Sequence, residues 1–474
     1  MTQSSHLPHF RTWLASLDEE ELATVLRNRP DVLNPLPPSI AALATRLLLR
    51  TSIARALMDC SAELLAEVED IARRGGELEE VEDLHPETTR QLKGRGLAYG
   101  NVLIPPEVMP ALPTGWSLLE QIRVRPADIA ELPAEERKVL ETLSRSNGLG
   151  TTRDAAVDAD PARPIPRLIA KQLLHRVDST TVRLPRAVHL ALNGKATAPI
   201  PVEGITESPA PDSKVDDAGT AAGLSTVRGM QRVIDSLGAR PIELLKDKTV
   251  GVRQLTNLSK SLNIGEEELR RLIELGMSGR LLSRGEPKNM EGNFLAPTEL
   301  AQTWLDTGLA EKWQLLLESW TTSTWTSEGR TLAHTNDRLP SFREKVLQVY
   351  LRGAKPTFEE SLRFHFPLFA THTAEETIAD LRAEAEWIGA IALDRPTSVL
   401  IEGPEAAARL TPDTVNYFLI QADMTVLVPG PLDPETHQRL ESVADLESPG
   451  LASVYRISDA SLRRGLDRGM TGEE

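Results

Sequence analysis

The chain has 474 residues, and its 69 Asp and Glu against 53 Lys and Arg leave a formal net charge of −16. That balance excludes a protein that coats nucleic acid through bulk charge, because such affinity is mostly phosphate neutralisation; any nucleic-acid contact needs a local basic face. The lone Cys60 excludes an internal disulfide framework and a multi-cysteine metal site, and no uncharged run is long enough to cross a bilayer. The N-terminal MTQSSHLPHFRTW lacks the apolar stretch of a signal peptide. A cytoplasmic location is therefore expected, at the nucleoid of a bacterium if DNA is bound. Aromatics make up only 4% of the chain while Leu and Ala dominate, which favours helices.

In chain order, residues 1–58 read as a helical cap. The stretch from Trp13 to Leu33 is amphipathic: Asp18 and Glu21 have capping-box spacing, Leu22, Val25 and Leu26 share a face, and Pro30 ends the pattern. Further helices are expected at about 39–50 and 52–57. Residues 59–131 form a first unit of two helices, 63–74 and 86–94, and a tight hairpin turning at Gly100-Asn101. A second unit, 132–192, places helices at 134–144 and 165–174 and a hairpin at 175–184, with Asp178-Ser179-Thr180 in the turn. Residues 193–223 are rich in Pro, Ala, Gly, Ser and Asp and read as a linker.

A third unit, 224–308, has helices at 252–262 and 266–275, with Leu281-Leu282 and Phe294-Leu295 as hairpin strands. A fourth, 309–401, carries the helical stripe Trp313, Leu316, Leu317, Trp320, helices at 342–352 and 373–387, and strands at 388–393 and 398–401. Helix, helix, hairpin is the pattern of a winged helix. The fold class expected is mainly α with small β-hairpins: tandem winged-helix units followed by a small α+β domain over 402–474.

Catalytic signatures are missing. The sequence has no G-x-x-x-x-G-K-[ST] phosphate loop, no G-x-G-x-x-G fingerprint, no H-E-x-x-H and no G-x-S-x-G elbow, so neither an enzyme nor a cofactor is expected. His365 and His372 lie among phenylalanines and read as ordinary core or polar histidines. The basic residues carry more information, because a DNA-binding winged helix inserts the helix before its wing into the major groove. The first unit offers Arg90 and Lys93 there. The second offers Arg163, Arg167 and Lys171, then Arg176, Arg183 and Arg186 around the wing. The third offers Glu266, Glu267 and Glu268 ahead of Arg270 and Arg271, and the fourth is acidic except for Arg382. The second unit is thus the expected DNA-contacting one.

The last stretch opens with FLIQADMTVLVPG, two short strands around the polar step Gln421-Ala422-Asp423. A helix at 434–443 follows, then the strand Leu451 to Ile457. Ser458 caps a final helix that puts Leu462 and Leu466 on one face and Arg463, Arg464 and Arg468 off it, where the three arginines are further candidate DNA contacts. The matching positions Gln421, Asp423, Thr425, Val426, Leu427, Tyr455, Arg456, Ile457, Ser458, Ser461 and Leu462 resemble the amino-terminal domain of XPB-type DNA helicases. They resemble still more the helicase-associated proteins of actinobacteria, which carry such a domain without the motor. RPDVL and SIARAL near the N-terminus resemble the start of those proteins. The resemblance implies further helical sequence beyond GMTGEE, so this C-terminus is expected to be truncated or a short form. It also implies a non-enzymatic accessory protein in DNA repair or transcription, with DNA, an XPB-type helicase or another protein as partner. The alternative is a protein–protein scaffold without nucleic-acid affinity.

Overall fold

The computed structural model describes residues 6–74, 76, 80–112, 124–146, 148–177, 179–194, 209–288, 290–326, 334–353, 357–448, 453–467 and 469–471. They are mainly helical, with small antiparallel sheets. The chain divides into two compact units, Met1–Thr206 with Ala354–Thr373, and Glu207–Gly353 with Ala374–Glu474.

In the first unit, the amphipathic stretch from Trp13 is two helices, His6–Ser16 and Glu19–Asn28. The break falls at Asp18, whose side chain accepts the Glu21 amide at 2.8 Å while Glu21 accepts the Asp18 amide at 3.1 Å. The reciprocal box therefore starts a new helix rather than capping a continuing one. The core that follows joins the helices Arg50–Met58, Ala62–Arg73 and Pro86–Lys93. Phe364 and Leu368 complete it, carried by the distant helices Phe358–His365 and Pro367–His372. These belong to the stretch expected to be part of the fourth unit.

The hairpin expected at Gly100-Asn101 reduces to one bridge, Tyr99 to Leu103. The neighbouring backbone bonds elsewhere, Ile104 to Gly76 at 2.9 Å and Val81 to Val102 at 3.2 Å, so no paired strands propagate. Residues 134–183 run as helix Ala134–Arg145, strand Leu149–Thr151, a 3-10 turn Arg153–Ala155, helix Pro164–Ala170, and strands His175–Arg176 and Thr181–Arg183. The last strand is central and pairs antiparallel with both others. Leu149–Thr151 was not expected from the sequence. Asp178, placed in the turn, lies outside the described residues.

The second unit repeats this order on a larger scale. Helix Ser213–Ala239 leads to strand Ile242–Glu243, helices Val252–Leu262 and Glu266–Ser278, and strands Leu282–Gly285 and Phe294–Pro297. Again the last strand is central, between the first and the second. The 27-residue opening helix corrects the linker reading over 213–223. Its glycines serve close packing: a Cβ at Gly219 would strike the Thr397 side chain, and one at Gly223 would strike the Trp313 ring. Trp313, Leu316, Leu317 and Trp320 are buried, and Trp313 Nε1 donates to the Ile388 carbonyl at 2.8 Å.

Two further expectations are corrected. Ser398–Ile401 is a helix, not a strand. The hairpin before it is the tight pair Ile391–Ala392 and Arg395–Pro396, turned by Leu393 and Asp394 at φ 51° and 55°. The helix expected from 373 begins at Glu375 and has no side-chain cap, because the backbone at Thr373 ends the preceding helix.

The chain closes on a four-stranded sheet. Strands Leu419–Ile420, Thr425–Val428, Asp445–Ser448 and Ser453–Arg456 stand in the spatial order first, second, fourth, third. Helices Pro434–Val443 and Asp459–Asp467 accompany it. Val426, Val428, Leu440 and Tyr455 form its core. Leu451 and Ala452, expected to start the last strand, lie outside the described residues. No helix among the described residues is long and apolar enough to cross a membrane.

Candidate nucleic-acid interface

Residues 132–192 hold ten Lys and Arg against seven Asp and Glu, whereas 402–474 hold six against thirteen. The helix Ala134–Arg145 supplies the organising group, Glu136, whose side chain is only 1% exposed. A buried carboxylate needs cations. Lys171 Nζ donates to Glu136 Oε2 at 2.7 Å, and Arg167 Nε stands 3.1 Å from Oε1. Two of the three central candidates are therefore braced against the unit's own core. Both keep about 40% of the side chain exposed (41% and 44%), so their outer faces remain open to an anion.

Arg163, at the start of the Pro164–Ala170 helix, pairs with Asp154 at 2.5 Å. Arg176 Nε donates to the Ala155 carbonyl, tying the strand His175–Arg176 to the 3-10 turn. Arg183 is half-buried on the central strand. Arg186 is turned inward: it opens the helix Arg186–Leu192, donates to Thr371 Oγ1 at 3.1 Å, and is held below the usual guanidinium range by burial and then by Arg363. The sequence reading passed over Lys138 and Arg153. Both are exposed, and among the described residues neither side chain forms an ion pair. In the first unit, exposed Arg90 pairs with Glu87, and Lys93 is half-buried.

The corresponding helix of the second compact unit, Glu266–Ser278, pairs within itself. Arg271 meets Glu267 at 2.6 Å and Arg270 meets Glu266 at 3.8 Å, each across one turn. Deeper on the same helix, burial pushes the Glu274 carboxyl up to about 8; the neighbouring Glu384 adds to this, and Arg343, Arg270 and Arg271 oppose it.

In the C-terminal domain the motif residues build the scaffold. Thr425 Oγ1 donates toward Asp423 at 2.5 Å and lies 2.9 Å from Gln421 Oε1, while the Gln421 amide donates to Thr425 O at 2.7 Å. These bonds, with Met424 at φ 64°, fix the reversal between the first two strands. Arg456 pairs with Glu447 at 3.0 Å across the sheet. Ser458 and Ser461 cap each other reciprocally, and Ser461 Oγ also donates to Val443 O at 2.6 Å, joining the two helices. Tyr455 OH lies 3.2 Å from His437 Nε2; burial, and then Glu441, push its phenol up to about 12. Arg464 pairs with Asp445 at 2.8 Å, Arg463 is exposed, and Arg468 lies outside the described residues.

The same domain leaves apolar surface uncovered: Leu419, Ile420 and Met424 at one sheet edge, and Leu462 and Leu466 on the last helix. Among the described residues, no group of three or more His, Cys, Asp or Glu is placed to hold a metal.

Residues 418–474 match a family described as the helicase conserved C-terminal domain. This likeness relates the four-stranded domain to helicases and covers that domain alone. No curated protein matches the chain.

Proposed function

We propose that the chain is a non-enzymatic, helicase-associated accessory protein that contacts DNA through a winged helix. The observation that carries the reading is the match of 418–474 to a helicase domain family. Two copies of one topology, 134–183 and 213–297, support the winged-helix assignment. Each runs helix, strand, a helix or helical turn, helix, strand, strand, and each places its third strand in the centre of the sheet. The net positive charge of 132–192, with Lys138, Arg153, Arg163 and Arg176 exposed on it, supports that copy as the DNA-contacting one. The absence of a phosphate loop from the sequence supports a role without a motor. The resemblance to XPB-type and actinobacterial helicase-associated proteins points to repair or transcription as the setting, and to such a helicase as the partner.

A second reading, a scaffold that binds only proteins, is favoured by one specific observation: Arg163, Arg167 and Lys171 are already ion-paired. Fluorescence anisotropy with labelled duplex and forked DNA over a salt series separates the two. The first reading expects binding that weakens with salt and is lost in an Arg153→Glu, Arg163→Glu variant, which leaves Glu136 paired. Absence of binding at low salt supports the scaffold.

A further inference from the structure

One cavity, of about 160 Å³, lies within the second compact unit. The long helix Ser213–Ala239, the start of the helix Leu309–Thr322 and the sheet of the helicase-family domain line it. Its walls carry more positive character than an internal void requires. Lys312 is 2% exposed, yet its ammonium makes no hydrogen bond or ion pair among the described residues; it lies 5.8 Å over the Trp304 ring. The ring face offsets only part of the cost of placing the charge here, and the ammonium keeps its hydrogen-bond donors open to the cavity. Asp235, Asp306 and Glu311 influence it only at longer range, and burial holds it below the usual lysine range.

Arg228 enters the same space from the long helix, with Nη1 3.5 Å from Ser453 Oγ. Gly308 is the N-cap of the Leu309–Thr322 helix, and no side chain caps it. The amides of the first turn therefore face this end of the cavity with the positive end of a 14-residue helix. The Glu311 carboxylate folds back toward Gly308 without bonding it, at the rim of the same turn.

We propose that this cavity binds a single phosphate-class oxyanion, held by the Lys312 ammonium, the Arg228 guanidinium and the first-turn amides after Gly308. Uncapped helix N-termini and charge-assisted donors are the physical requirements for such a site. The volume is below the roughly 300 Å³ of a drug-sized pocket, so the site takes an anionic group and not a whole nucleotide. The group is either free phosphate or the terminal phosphate of a nucleic-acid strand.

Hydrogen–deuterium exchange of the full chain tests this, with inorganic phosphate, a 5′-phosphorylated oligonucleotide and its 5′-hydroxyl counterpart, each against chloride at equal ionic strength. Phosphate protection of amides in 305–312 is expected. Lys312→Met should weaken it by about tenfold or more, while Arg240→Gln, an exposed control away from the cavity lining, should leave it unchanged. Protection only by the phosphorylated oligonucleotide also supports the site and assigns the group to a strand end. Exchange that is equal in chloride, in phosphate and with the 5′-phosphorylated oligonucleotide overturns it, and the wild-type comparison alone decides this if Lys312→Met does not fold. Absence of DNA binding by the wild-type chain at low salt, with phosphate protection present, would refute the proposed function and leave this site standing.

Discussion

The helices Pro164–Ala170 and Glu266–Ser278 hold the same place in two copies of one topology, and their charges are opposite. In the first, cations on the helix and just after it lean on a carboxylate from a neighbouring helix. In the second, acidic side chains lead and the arginines fold back on them one turn later. The chain trace is kept while the electrostatic character is reversed. The shared topology therefore specifies a shape, and the charge on this helix selects what that shape meets.

The comparison breaks most sharply at Glu136. Replacing both Arg167 and Lys171 with alanine strands a buried carboxylate. The cost should be about 2–3 kcal/mol, toward the low end for a buried pair because water gains access once both side chains are gone. Chemical denaturation should show it, and adding Glu136→Gln should recover most of the loss. If the double variant is as stable as wild type, the brace is ornamental and both cations are free for DNA.

The second copy carries its own signature in pH. Glu274 has a folded-state value raised to about 8, so between the ordinary carboxylate range and about pH 8 the folded chain holds a proton that the unfolded chain has released. Stability from this group is complete at acid pH and is lost as pH rises toward 8. Denaturant midpoints should fall across pH 5–8 by an amount equivalent to roughly 2–3 kcal/mol, and Glu274→Gln should flatten that slope. A wild-type slope equal to the variant's would show that Glu274 is solvated.

Gly223→Ala should cost about 1–3 kcal/mol despite alanine's better helix propensity, because its methyl meets the Trp313 ring. A gain in melting temperature would mean that the long helix stands further from Trp313 than the packing here. The smallest effect expected is on binding. Changing Glu266, Glu267 and Glu268 to Gln should raise nonspecific DNA affinity by only about threefold to tenfold at low salt. A rise as large as that from adding equal positive charge to 132–192 would make the two helices interchangeable and dissolve the contrast.

The C-terminal domain was the most legible in sequence. Apolar alternation marked Thr425–Val428, prolines and glycine marked the end of that strand, and Ser458 marked a helix start. Asp445–Ser448 escaped because all four residues are exposed, so this edge strand has no buried face to write an alternation. The helix Ser213–Ala239 escaped for the opposite reason. Its Gly, Ala, Ser and Thr look like a flexible tether, but they are small because Trp313 and Thr397 come close. At the candidate interface the basic residue types were legible and their engagement was not. Glu136 lies 35 residues before Lys171, and only the packing of the two helices brings them together.

The first compact unit draws part of its core from Phe364 and Leu368, more than 150 residues beyond the rest of it. During synthesis its earlier helices leave the ribosome well before these two side chains exist, so the unit must wait with an apolar face unfilled while much of the second unit is made. Folding from the N-terminus, the usual order for multi-unit chains, is therefore interrupted here. A nascent chain stalled near residue 206 should remain protease-sensitive, and one with residue 373 clear of the ribosome should acquire resistance in the first unit, the second still waiting for residues 374–474.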